Sequence, residues 1–173
     1  MRVTTRTKLA ATTMAIAALG FAGAVTAQAA ALDAQTAKDL QYMVAEEKLA
    51  HDVYTTLGDM YNVRVFDRIA SSEARHQDEL RTVMDLYGVA DPTVGDKLGV
   101  FDDPTLQKMY TTLVAQGSAS LTEAAKVGVA IEELDIADLK EAMTESMNSD
   151  VDRVYANLLQ GSKNHLAAFS RWA

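Results

Sequence analysis

Apolar residues recur along this chain at three- and four-residue steps, the period of an α-helix, and no convincing period-two run of a strand interrupts them. Leu40, Met43, Val44, Ala50, Tyr54 and Leu57 form one stripe of a helix predicted from Thr36 to about Gly58, with Asp33 or Thr36 as its cap and Gly58 as its end. Phe66, Ile69, Leu80, Val83 and Tyr87 mark a second helix, from about Val63 to Tyr87, stopped by Gly88. The segment from Asp91 to Asp102, punctuated by Pro92 and Gly95, predicts a long connection that Leu98, Val100 and Phe101 tack onto the body. Asp103 followed by Pro104 is a cap and first-turn proline, so a short helix should run to about Gln116. Ser118 or Ser120 opens a third long helix, reaching about Met147 with Leu121, Ala125, Gly128, Leu139 and Met143 inward. Asn148 to Asp150 breaks and recaps the chain, and a last helix begins at Val151, with Tyr155, Leu158, Phe169 and Trp172 on its apolar side.

Four long helices with one long crossover, itself carrying a short extra helix, predict an all-α four-helix bundle. The stripes are interrupted at one level each by groups that water would normally keep. Glu47 lies between Val44 and Ala50; Glu73 and His76 lie between Ile69 and Leu80; Glu132 and Asp135 lie between Gly128 and Leu139. Ser162 and His165 lie between Leu158 and Phe169. Residues three apart on a helix are neighbours, and buried charge is tolerated when it is paired or coordinates a metal. An inward Glu-x-x-His is the ligand motif of dinuclear carboxylate bundles, so Glu73 and His76 lead the candidate ligands. Glu47 and His165 are the candidates on the outer helices, with Glu132, Glu133 and Asp135 competing on the third. Glu46 sits one residue round from Glu47, beside Tyr42 and Leu49; Glu133 projects with Lys126, Ala130 and Lys140 on a more polar face than Glu132; and His51 is within reach of Glu47 as a ligand or supporting hydrogen-bond partner. The competing readings are solvated acids on the third helix and ion pairs such as Glu73–His76 or His165–Glu132 that need no metal.

These residues resemble the ferritin-like superfamily, most closely its rubrerythrin-like di-iron carboxylate proteins. Glu47-Lys48-Leu49-Ala50-His51-Asp52-Val53-Tyr54 looks like the first-helix glutamate segment of rubrerythrins, and Ile69-Ala70-Ser71-Ser72-Glu73-Ala74-Arg75-His76 like the second-helix motif. Ile131-Glu132-Glu133-Leu134-Asp135-Ile136 together with Gly161-Ser162-Lys163-Asn164-His165-Leu166 is similar to an uncharacterised ferritin-like branch from bacteria and archaea. The resemblance runs from Leu32 to Trp172. It implies a ferritin-like bundle whose Glu47, Glu73, His76, His165 and Glu132 or Glu133 bind two iron ions, with manganese or zinc as alternatives. It implies Fe(II) oxidation by oxygen or peroxide, or peroxide reduction fed by an external electron donor. One departure is Ser162, where the family's last-helix motif carries glutamate; Asp135 is the candidate to compensate.

Composition narrows the field. Arg2, Arg6 and Lys8 precede an alanine-rich apolar run that ends in Ala27-Gln28-Ala29, the pattern of a secretory leader cleaved after residue 29, so residues 30–173 are expected to form one exported domain, periplasmic or extracellular. No paired arginine or lipid-anchor cysteine accompanies the leader, and no stable membrane insertion is expected after cleavage. Without those three basic residues the net charge of −8 becomes −11, which disfavours nucleic acid as a partner. The absence of cysteine excludes disulfides, thiolate catalysis and iron–sulfur centres. A homodimer is compatible with this picture, and the alternative function is a bundle that sequesters metal without turnover or is purely structural.

Overall fold

The computed structural model describes residues 31–173; the predicted leader lies outside the described residues. Five helices follow one another: α1 (Ala34–Tyr61), α2 (Arg64–Tyr87), α3 (Pro104–Gly117), α4 (Leu121–Glu145) and α5 (Ser149–Phe169). Among the described residues there is no strand, and no helix is long and apolar enough to cross a membrane.

The boundaries follow local chemistry. Asp33 starts α1 by accepting hydrogen bonds from the backbone N–H groups of Gln35 and Thr36, both at 2.9 Å. Asp103 caps α3 ahead of Pro104, Ser120 caps α4 by accepting from Glu123 N–H, and Asn148 caps α5 by accepting from Asp150 and Val151 N–H. Gly88 ends α2 at φ 69°, a left-handed conformation that glycine adopts without penalty. The expected stop at Gly58 is displaced. Helix α1 continues to Tyr61 and ends at Asn62, which takes the left-handed conformation at φ 53° and returns its N–H to Gly58 O. Gly58 instead marks a close approach, since a Cβ there would lie 3.1 Å from the Cβ of Phe66. Trp172, expected on the last apolar stripe, lies beyond α5 and is half exposed, because the helix ends at Phe169.

Helix α1 packs against α2 and α4, and α5 packs against the other sides of α2 and α4, so the four long helices form a ring. Helix α3 lies across α1 and α4. Paired contacts give the directions. Tyr54 meets Glu132 while Tyr42 and Asp138 line one groove, so α1 and α4 are antiparallel. Glu79 meets Asn157 while Tyr87 meets Asp150, so α2 and α5 are antiparallel too. Gly58 lies against Phe66 while Glu47 meets His76, so α1 and α2 are antiparallel. Helices α2 and α4 therefore run the same way, and the crossover between them must travel the length of the bundle.

The core is two apolar clusters. One contains Val53, Tyr54, Phe66, Ile69, Val127 and Phe169, closed by tilted aromatic contacts of Phe169 with Tyr54 at 4.9 Å and with Phe66 at 5.2 Å. The other contains Leu40, Met43, Leu80, Leu139, Tyr155 and Leu158. On every long helix the polar level predicted from the sequence falls between the two.

Candidate metal centre

Each long helix delivers one step of its apolar stripe to this middle level. Glu47, Glu73, His76, Glu132, Ser162 and His165 are all buried, with Glu47, Glu73 and Glu132 each only 2 % exposed. Six polar groups at one height, with dry clusters above and below, are too costly to bury unless they satisfy one another or a ligand.

Glu73 is the centre of the group. Its Oε2 lies 2.8 Å from His76 Nδ1 and its Oε1 lies 2.9 Å from His165 Nδ1, so one carboxylate presents one oxygen to each imidazole. The two rings face each other across it, with centroids 5.5 Å apart. Each histidine has a second carboxylate: Glu47 Oε2 is 3.2 Å from His76 Nδ1, and Glu132 Oε2 is 3.6 Å from His165 Nδ1. The result is two half-sites sharing Glu73. Tyr54 donates a 2.7 Å hydrogen bond to Glu132 Oε1, which leaves Oε2 as the oxygen facing His165.

The donor atoms converge without fully pairing. His165 Nδ1 is aligned with neither nearby carboxylate as a hydrogen-bond donor, and Glu47 Oε1 is buried with no partner. Donor atoms of Glu73, His76 and His165 all lie within 4.8 Å of one another. Beside them is a cavity of about 20 Å³, lined in part by Glu46, Glu47, Glu73, Glu132 and Asp135. Imidazole nitrogens and carboxylate oxygens beside a small cavity suit an iron- or manganese-like cation, and do not exclude zinc.

The electrostatics divide the carboxylates. Burial alone would raise Glu73, but the imidazoles of His165 and His76, 2.9 and 2.8 Å from its oxygens, bring it down to about 2. Burial alone would lower His76, yet Glu47 and Glu73 hold it up at about 11. His165 is likewise raised to about 9 by Glu132 and Glu73 against the opposing effect of burial. Glu132 is pushed up to about 8, first by burial and then, against the pull of His165, by the charge of Glu73. Burial and Glu73 also raise Glu47. Without a cation, the level is an over-supplied set of carboxylates around two protonated histidines.

Of the other predicted candidates, Asp135 is half-buried beside the cavity and raised to about 6, chiefly by burial. Glu133 is exposed and stays outside the group, because one residue of helix turns its side chain about 100° from Glu132. His51 also stays outside, hydrogen-bonded at 2.8 Å to Asp52 Oδ1. Ser162 donates to Leu158 O at 2.8 Å, so its hydroxyl hydrogen is committed to its own helix.

Two residues gain importance that their position on a stripe did not convey. Glu46 is 6 % exposed, lines the same cavity, and has an Oε2 without a partner. Lys48 is equally buried and ties down the crossover, donating to Asp52 Oδ2 at 2.6 Å and to the carbonyls of Lys97 and Val100 at 3.1 Å. Its ammonium also lies 4.0 Å from the Phe101 ring centroid. Both follow from the unbroken burial of Ala45 to Ala50, which arises because α1 is covered by α2, α4 and α3 together.

Comparison with known proteins agrees in extent with this single bundle. The chain is 43 % identical over 129 residues to an uncharacterised protein, MJ0754, of Methanocaldococcus jannaschii, covering 75 % of this chain and 70 % of that one. The crystal structure described as hypothetical protein MJ0754 from Methanococcus jannaschii is similar to this fold with a TM-score of 0.76 at 42 % identity, over 78 % of this chain and 77 % of that one. The model of an uncharacterised protein domain, DUF2202, matches residues 36–173, from the first turn of α1 to the C-terminus, and the chain belongs to that family.

Proposed function

We propose that this chain is a ferritin-like, rubrerythrin-like protein that holds two metal ions, iron first among them, and acts outside the cytoplasm as a ferroxidase or peroxide-reducing oxidoreductase. The observation that carries the reading is Glu73, whose two oxygens face two different histidines, each backed by a further carboxylate. Glu47, Glu73 and His76 would hold one ion, and Glu132, Glu73 and His165 the other, with Asp135 supplying the carboxylate that Ser162 does not. Two bound iron ions supply the paired one-electron steps that reduction of oxygen or peroxide requires.

The chain's own residues do the rest. Tyr54 fixes the rotation of Glu132 through its 2.7 Å hydrogen bond. The apolar clusters on both sides keep bulk water from the level. His76 and His165 would hold a cation only as neutral imidazoles, so loading the centre would release the protons that their carboxylate neighbours now stabilise. With no cysteine in the chain, turnover as a peroxidase draws on an external electron donor.

A second reading is favoured by the 2.8 and 2.9 Å separations of Glu73 from the two histidines: ion pairs that neutralise the level without a metal. A related possibility is metal sequestration without turnover. Metal content per chain after anaerobic loading with Fe(II) or Mn(II) separates these readings, comparing the protein with a Glu73→Ala/His76→Ala variant. The dinuclear centre requires close to two ions in the parent and a clear loss in the variant. No bound metal in a folded parent eliminates it, and two bound ions without oxygen or peroxide consumption leaves sequestration.

A further inference from the structure

Glu46 is unexplained by the two half-sites. It neighbours Glu47 in sequence but lies toward α4, against Tyr42 and Asp138 rather than against a histidine. Its carboxylate is buried, and Oε2 has no hydrogen-bond partner. A carboxylate oxygen so placed normally has a donor, a water or a cation. The cavity that Glu46 shares with Glu47, Glu132 and Asp135 is otherwise walled there by apolar side chains, including Leu49, Met109 and Leu134.

Outside, the same seam between α1 and α4 opens into a groove lined by Asp39, Tyr42, Asp138, Glu141 and Glu145. Asp138 and Tyr42 thus belong to the groove and touch Glu46, which belongs to the inner cavity. The carboxylates form a graded series along one helix seam. Exposed Glu141 and Glu145 come first, then half-buried Asp138, then buried Glu46, and last the level of Glu47 and Glu132.

We infer that Glu46 and Asp138 form a transient binding site at which a hydrated divalent cation exchanges water for carboxylate oxygen on its way from the acidic groove to the buried centre. This rests on the dinuclear reading and adds to it a route and a loading step. The exposed acids raise the local cation concentration, and Asp138 and Glu46 replace hydration that the apolar walls cannot supply. No electron or covalent bond is moved in this step; only coordinated water is replaced by carboxylate oxygen.

The test is the rate of anaerobic Mn(II) uptake by the full protein, followed by loss of the six-line EPR signal of aqueous Mn(II). Glu46→Gln and Asp138→Asn are compared with the parent, and helical circular dichroism checks folding. The half-exposed position of Asp138 keeps the test informative if the buried Glu46→Gln change perturbs packing. Both variants are expected to reach the parent's final content while filling about tenfold more slowly. Filling at the parent's rate overturns the route and leaves the centre standing. A lower final content in Glu46→Gln also overturns it, by making Glu46 a ligand of the centre. A parent that takes up no Mn(II) removes the centre itself, and the route with it.

Discussion

Gly161 stands where any side chain would collide with the centre: a Cβ there would lie 2.5 Å from His76 Nε2. Glycine within a helix costs about 1 kcal/mol relative to alanine, and here the missing methyl lets the His76 ring sit against α5 with Nδ1 turned to Glu47 and Glu73. Gly161→Ala should therefore displace His76, lower metal content in the Glu47 half-site, and destabilise the fold by about 1–3 kcal/mol through overpacking. Metal analysis beside a urea melt checks both effects, and full metal content in the variant would show that the close approach is dispensable. At this scale the sequence was informative where a polar residue broke an apolar stripe, since that anomaly is local. Glu47, Glu73, His76, Glu132 and His165 all stood out in this way. Gly161 did not, because the ring it accommodates comes from another helix.

Helix periods and caps are short-range properties, which is why the five helices and the long crossover could be read from the sequence to within a turn. The burial of α1 could not. A helix expected to show one apolar face is instead enclosed on three sides, and that enclosure turns Glu46 and Lys48 from outward charges into interior groups. For Lys48 the consequence is mechanical, since its ammonium holds two crossover carbonyls and Asp52, whose other oxygen accepts from His51. Asp52 also accepts from Gly99 N–H at 2.8 Å, closing a small network around the loop. Lys48→Met keeps the stem's packing but removes the charge, leaving a buried carboxylate without its ammonium. The expected cost is about 3 kcal/mol, with hydrogen exchange around residues 97–101 rising more than exchange in α5. Uniform loss of protection through the whole bundle would show instead that the crossover is not held locally.

Taken as a whole, the molecule should lose stability as pH rises without metal, and the increment that bound metal adds should grow over the same range. His76 and His165 are raised to about 11 and about 9, so the stability they confer is complete below the ordinary histidine value of 6.5 and is lost as pH climbs through the raised values. Glu132, raised to about 8 from 4.5, acts in the same direction, because its ionisation in the interior is disfavoured. Glu73, lowered to about 2, contributes stability above 4.5 that is lost only as pH falls toward 2. The metal-free protein should thus melt at progressively lower temperature as pH rises from about 6.5 to about 9. On the proposed dinuclear reading, added Mn(II) should raise the melting temperature more at the alkaline end, since metal and protons would compete for the same atoms. Parallel melts with Mn(II) and with chelator test this, and a metal-induced shift that does not grow with pH would show that the ion binds elsewhere. The placement of the charged level between two apolar clusters bears on more than metal. A bundle packed by hydrophobic stripes alone tolerates sliding, because one turn of about 5.4 Å exchanges one apolar contact for another. Here a slipped helix would drive its carboxylate or imidazole into Phe169 and Tyr54 on one side or Leu80 and Tyr155 on the other, so the polar level acts as a detent that gives each helix one permitted height.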